Sequence, residues 1–264
     1  YLKKDIHNKL IRFGSIKLGD WVLLEVQGGL SKVEEFLQGQ VTSDISSLSD
    51  NCSQLSSICN HKGQIVADFI IIKKDKKYIF ALNDTFKDIV INELLPFSKF
   101  YSVTFKGIDE HVIGVISKKS SSKEPFLSNN YCELSIEIKN NMNNFKETIN
   151  KAQWAVANKI LGNLYLESED IEKYRPLEIN YDNLRVSFDK GCYRGQEIVA
   201  RMKYLGIDRR KFCTFITKKE FKKYENIKVT GEIIEIDNIH VLNGIIKREM
   251  LSELKNLDGI IDIY

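Results

Sequence analysis

The segment DKGCYRGQEIVARMKYLG, Asp189 to Gly206, sets one cysteine, Cys192, between two glycines and beside Lys190 and Arg194. A cysteine reacts as its thiolate, which nearby cations and the unpaired amides at a helix start both favour. Ile198, Val199, Met202 and Leu205 recur at helical spacing after Gln196, while Asp189, Lys190 and Gly191 have turn composition. The pattern therefore places the thiol just ahead of a helix and predicts that it ionises more readily than a free one, with Glu197 opposing. Gly191 and Gly195 permit a left-handed backbone or close approach of another group. The competing reading is a small apolar side chain buried beside Tyr193. No Cys-His pair can be assigned, because His7, His61, His111 and His240 are all remote in sequence; His61, in CNHKGQ, is the first to inspect.

The rest of the chain narrows the chemistry. Five cysteines in 264 residues form no CxxC pair, so neither a disulfide framework nor a metal site is suggested. With 39 basic and 36 acidic residues the formal charge is +3, too small to argue for nucleic-acid binding from total charge. Locally, Lys190, Arg194, Arg201, Lys203, Arg209, Arg210 and Lys211 outnumber Asp189, Glu197 and Asp208. That excess could meet a phosphate, a carboxylate-rich ligand or RNA, or could be a solvated helix face. No apolar run is long enough to span a membrane as a helix, and YLKKDIHNKL has no apolar signal core. A cytoplasmic protein without membrane contact is the expectation.

The elements that position the motif are mixed. WVLLEVQGG from Trp21 reads as a buried strand, and Ser31 with Glu34 has capping-box spacing, predicting a helix that starts near Ser31. HKGQIVADFIII and KYIFALN read as a hairpin with a loop longer than minimal at KKDKK. DTFKDIVINELL has a helical pattern, followed by strand-like VTFKGI and HVIGVIS. Ser117 to Pro125 reads as an exposed loop, YCELSIEI as a strand, and FKETINKAQWAVANKIL as a helix from Phe145. CTFITKK, EIIEI and HVLNGIIK suggest a small β-rich end. Without regular βαβ alternation, the fold class is α+β.

KGCYRGQE followed by VARMKYLG resembles the signature of the YgfZ family of folate-binding proteins, described as tRNA-modifying and as helpers of iron-sulfur enzyme maturation. FLQGQVTSDI (Phe36 to Ile45), HKGQIVADFII and PLEINYDNLRVSFDKGCY resemble further family segments in the family's order, together covering most of the chain. The resemblance implies a multi-part fold related to the glycine-cleavage aminomethyltransferase (GcvT-like), built around a central folate-binding pore with a small β-barrel-like C-terminal module. The parts are expected as 1–50 plus 140–208, the folate-binding core with the motif; 51–139, a ferredoxin-like part; and 209–264, a shortened β-rich module. The family's folate-binding tryptophans match Trp21 and Trp154, this chain's only two. Indole faces suit a flat pterin, although each could simply fill a core.

Three functions follow. In the first, tetrahydrofolate lies between Trp21 and Trp154 while Cys192, with Lys190, Gly191, Tyr193, Gly195, Gln196 and Glu197 around it, performs or senses redox chemistry that maintains iron-sulfur enzymes. Partners are then those enzymes or cluster-assembly proteins, and the effect on tRNA thiolation is indirect. A single cysteine supplies only one cluster ligand, so a stable cluster would need a partner. The second is a folate-dependent one-carbon transferase using Asp44, Asp84 or Glu178 as acid or base. The third is an RNA or protein adaptor without chemistry, built on the basic segment.

Overall fold

The computed structural model describes residues 3–121, 124–206 and 209–264. Helix α1 (Lys3–Leu10) leads into strands β1 (Gly14–Lys17) and β2 (Trp21–Gln27), then helix α2 (Leu30–Gln40). Strands β3 (Cys52–Cys59), β4 (Ile65–Lys74) and β5 (Lys77–Asn83) follow, then helix α3 (Lys87–Ser98) and strands β6 (Thr104–Ile108), β7 (His111–Ser117), β8 (Leu127–Ser128) and β9 (Glu133–Lys139). Helices α4 (Lys151–Ile160), α5 (Tyr181–Leu184) and α6 (Gln196–Leu205) precede strands β10 (Arg210–Lys218), β11 (Lys228–Ile236) and β12 (Ile239–Lys247), helix α7 (Leu251–Lys255) and strand β13 (Ile260–Ile263). Three antiparallel sheets result, ordered β3-β4-β5-β2-β6, β1-β7-β9-β8 and β11-β12-β10-β13. The five-stranded sheet takes strands from both sides of residue 50.

That sheet is covered on both faces, which is why IVADFIII is apolar at every position but Asp68 rather than alternating. Phe69, Ile71, Phe80 and Leu82 join a core with α2 and α3. Their neighbours Ile70, Ile72, Ile79 and Ala81 face a second core with Trp154, Ile16 and Val112. The C-terminal sheet has a smaller core of its own around Phe215, Leu242 and Leu254.

Local geometry corrects three readings of the sequence. The β4–β5 turn is tight, because Asp75 and Lys76 both take left-handed backbone (φ 51° and 61°), matching the twist of a two-residue hairpin. Helix α2 begins at Leu30, next to the expected Ser31, but its N-cap is Gly29 and the Ser31–Glu34 capping box does not form. Its Glu34 instead accepts from Tyr78 Oη at 2.7 Å and Lys73 Nζ at 3.1 Å across the sheet. Helix α4 begins at Lys151, not Phe145, since Asn150 and Gln153 form a reciprocal capping box. Of the exposed loop expected at Ser117 to Pro125, Ser122 and Lys123 lie outside the described residues.

Candidate functional site

A cavity of about 240 Å³ opens where the three sheets approach one another. Its walls are the Lys17–Trp21 turn, Asn83 at the end of β5, one face of α4, residues 163–167 and the bulged part of β11, with Asp68 of β4 on the inside. Trp21 and Trp154 both line it. Trp21 opens β2 opposite Asn83, half-buried, and meets Tyr165 edge to face at 5.1 Å. Trp154 is more deeply set and lies against Gly114 of β7, where an added Cβ would sit only 2.9 Å from its ring. The two indoles are therefore brought to one cavity by different elements, a strand start and a helix face.

Behind this wall lies a buried polar network that sequence reasoning missed. Asp68 accepts from Tyr181 Oη and from the Leu166 amide at 2.8 Å. Burial pushes its carboxyl above the ordinary aspartate range, against the opposing pull of Arg185 and the Tyr181 bond. Arg185 is almost wholly buried and donates to the carbonyls of Ser56 (2.9 Å), Phe69 (3.1 Å) and Leu164 (3.2 Å) and to Asn163 Oδ1 (2.9 Å). Its guanidinium faces the rings of Tyr165 and Tyr181. Tyr165 Oη is buried beside this network, near Arg185, Asp68 and Asn163, with no close hydrogen bond among the described residues. The only sequence signal was an apolar run broken by one aspartate, IVADFIII, which suits a buried carboxyl with dedicated partners.

The cysteine motif forms a separate region, and none of its residues lines the cavity. Cys192 is exposed, four residues ahead of α6. Lys190 is buried and donates to the carbonyls of Val41 and Ser43, both at 2.8 Å; burial holds its amine down to about 8, with Asp44 opposing. Arg194 pairs with Glu93 at 2.9 Å and faces Phe97. The two cations expected to activate the thiol are thus committed to other partners. Tyr193 is buried and Gln196 half-buried, while Gly191 and Glu197 are exposed, Glu197 pairing with Arg201. Gly195 takes φ +84° with its α-carbon against the Asn60 carbonyl, and Gly63 meets Ile198 of α6. The motif loop is therefore fastened onto the Asn60–Gly63 turn, the entry to the strand that carries Asp68. His61 is exposed on that turn; His7 faces Asp262 and His240 faces Tyr224 and Glu235.

The alternative acids do not reach the cavity. Asp44 caps the turn at Ile45–Ser47, Asp84 is exposed, and Glu178 accepts from the Arg175 amide at 2.8 Å. The basic segment is largely paired within the protein: besides Lys190 and Arg194, Arg201 meets Glu197, Lys203 meets Asp182 and Arg210 meets Glu178. Asp208 lies outside the described residues. Only Val199 of the expected apolar face of α6 is fully buried; Leu205 is 78% exposed.

The chain is 26% identical over 229 residues to the tRNA-modifying protein YgfZ of Klebsiella pneumoniae, covering 75% of this chain and 69% of that one. It is 26% identical over 292 residues to the tRNA-modifying protein YgfZ of Buchnera aphidicola subsp. Schizaphis graminum, covering 94% and 90%. The chain is similar to YgfZ proteins along most of its length. A 31% identical protein of Haemophilus influenzae, named only as uncharacterised, covers 93% of this chain and 86% of its own length. No family profile matches. Among solved structures, the glycine cleavage system aminomethyltransferase T of Bartonella henselae superposes with TM-score 0.62 at 14% identity, over 92% of this chain and 81% of that one. The chain thus has the α+β fold of that transferase. No helix among its described residues is long and apolar enough to cross a membrane.

Proposed function

We infer that this protein, like the YgfZ proteins it is similar to, is a folate-binding accessory factor that supports iron-sulfur enzyme maturation and, through it, tRNA thiolation. The observation that carries the reading is the cavity to which both tryptophans of the chain contribute. Its residues fit a reduced pterin: flat indole walls and the Asp68 carboxyl on the inside of the cavity. Tetrahydrofolate, when bound, supplies a one-carbon-carrying reduced pterin; the chain's own residues stack on it, orient it and exclude water. Cys192, exposed and outside the cavity, is the group available to a client protein. Cytoplasmic placement belongs to the same reading.

In cells lacking the native protein, Trp21→Ala and Cys192→Ala should each lower thiolated tRNA while the protein accumulates normally. Normal thiolation with both variants contradicts the function. A second reading, one-carbon transfer, is favoured by one observation: Asp68 is a carboxyl in the cavity held toward its protonated form. Turnover of methylenetetrahydrofolate with an aminomethyl acceptor, lost in Asp68→Asn, supports it; absence of turnover in the native protein rejects it.

A further inference from the structure

Lys159, in the last turn of α4, is 7% exposed and lines the cavity. Sequence gives no reason for it to be inside: it follows Val156, Ala157 and Asn158 on a helix whose neighbours are core residues. Its position is fixed by the C-terminal module. Thr214 Oγ1 and Asn243 Nδ2 both donate to the Lys159 carbonyl, at 2.7 and 3.3 Å, docking β10 and β12 onto this turn. From the same module, the irregular part of β11 brings Gly231 and Glu232 to the cavity wall. Gly231 takes φ +66°, and a Cβ there would lie 3.8 Å from Lys159 Nζ.

The side chain is thus mostly buried, and its ammonium borders the cavity with no hydrogen bond or ion pair to the described residues. Glu167 and Glu232 act on it only at longer range. Lysine is rarely buried without a partner, because the desolvated charge costs far more than a methionine of similar length would. The other lysines of the cavity region do not share this state: Lys151 pairs with Asp20 at 2.9 Å on the surface. An ammonium on the wall of a cavity, with three protons to give and no acceptor among the described residues, suits the acceptor of a ligand.

We propose that Lys159 is a ligand-binding residue of the cavity, donating to an acceptor oxygen of the bound folate, and that the C-terminal module completes the site by holding it there. The acceptor is an oxygen in either case, a ring carbonyl or a tail carboxylate. This rests on the folate reading above, and the test separates the two.

Binding of tetrahydrofolate, and of a tetrahydropterin lacking the aminobenzoyl-glutamate tail, is measured by calorimetry without oxygen on the native protein, Lys159→Met and Trp21→Ala. Loss of about tenfold or more in Lys159→Met is expected, with a melting temperature no lower than native, since the variant removes an unpaired buried charge. Loss with both ligands assigns the ring carbonyl; loss with the full ligand alone assigns the tail carboxylate. Native affinity for both in Lys159→Met, with loss in Trp21→Ala, overturns the assignment and leaves the folate reading standing. No binding by the native protein overturns both. Should Lys159→Met fail to fold, reductive methylation of the native protein decides: bound tetrahydrofolate must shield Lys159, and equal labelling with and without it overturns the proposal.

Discussion

Gly114 offers a perturbation that reaches the cavity without touching it. The residue sits inside β7, paired with Ile16 of β1 and Ile136 of β9. A Cβ at this point would lie 2.9 Å from Cη2 and Cζ3 of Trp154 and 3.0 Å from Cζ2. Carbons rest at about 3.5–4.0 Å, so Gly114→Ala demands that the indole or the strand yield by about half an ångström or more. Three sheet strands hold the backbone, and the indole borders an open cavity, so the ring is what moves. Overpacking of this kind costs about 1–3 kcal/mol. The same displacement closes the space a ligand ring needs. We expect Gly114→Ala to lower stability by about 2 kcal/mol in urea unfolding and to weaken tetrahydrofolate binding at least tenfold. In a Trp154→Leu background the alanine meets no indole, so most of its stability cost should vanish. Additive costs in that double-mutant cycle refute the argument, since they put the strain elsewhere than on Trp154.

Four other substitutions probe the motif and the buried lysines. Gly195→Ala forces a side chain into left-handed backbone against the Asn60 carbonyl and should cost about 3 kcal/mol or more in chemical unfolding. Lys190→Ala strips the Val41 and Ser43 carbonyls of their donor and should cost about 2–4 kcal/mol by the same assay, whereas exposed Cys192→Ala should stay within about 0.5 kcal/mol. Burial holds the Lys159 amine to about 8 in the fold against 10.5 in the unfolded chain. The unfolded state therefore binds more protons between those values, and this group's destabilisation, full below pH 8, is relieved as pH rises toward 10.5. The stability advantage of Lys159→Met over the native protein should accordingly narrow by about 1.5 kcal/mol between pH 8 and 9.5, read from paired unfolding curves. A constant gap contradicts it.

The elements with strong periodicity were legible in the sequence. The β2, β4, β7 and β12 strands and helices α3 and α6 fall where apolar pattern puts them. Element starts were less so, because capping depends on which partner wins: Glu34 looked like a cap for Ser31 but bonds Tyr78 across the sheet, and Asn150 rather than Phe145 starts α4. Trp21 and Trp154 lie 133 positions apart, so only their rarity and the family resemblance joined them before the fold did. Lys190 and Arg194 read as cations for the thiol, and only tertiary structure reveals that a main-chain site and Glu93 take them. Asp68, Arg185 and Lys159 were invisible as a group, since each looks like an ordinary charge until its burial is known.

The most direct test of the central claim is a titration of the purified protein with tetrahydrofolate in the absence of oxygen, followed by intrinsic fluorescence. Trp21 and Trp154 are the only indoles, and both line the cavity. The account predicts saturable quenching that is lost in Trp21→Ala and in Gly114→Ala but retained in Cys192→Ala. Quenching that survives in Trp21→Ala and Gly114→Ala, or no saturable signal in the native protein, contradicts it.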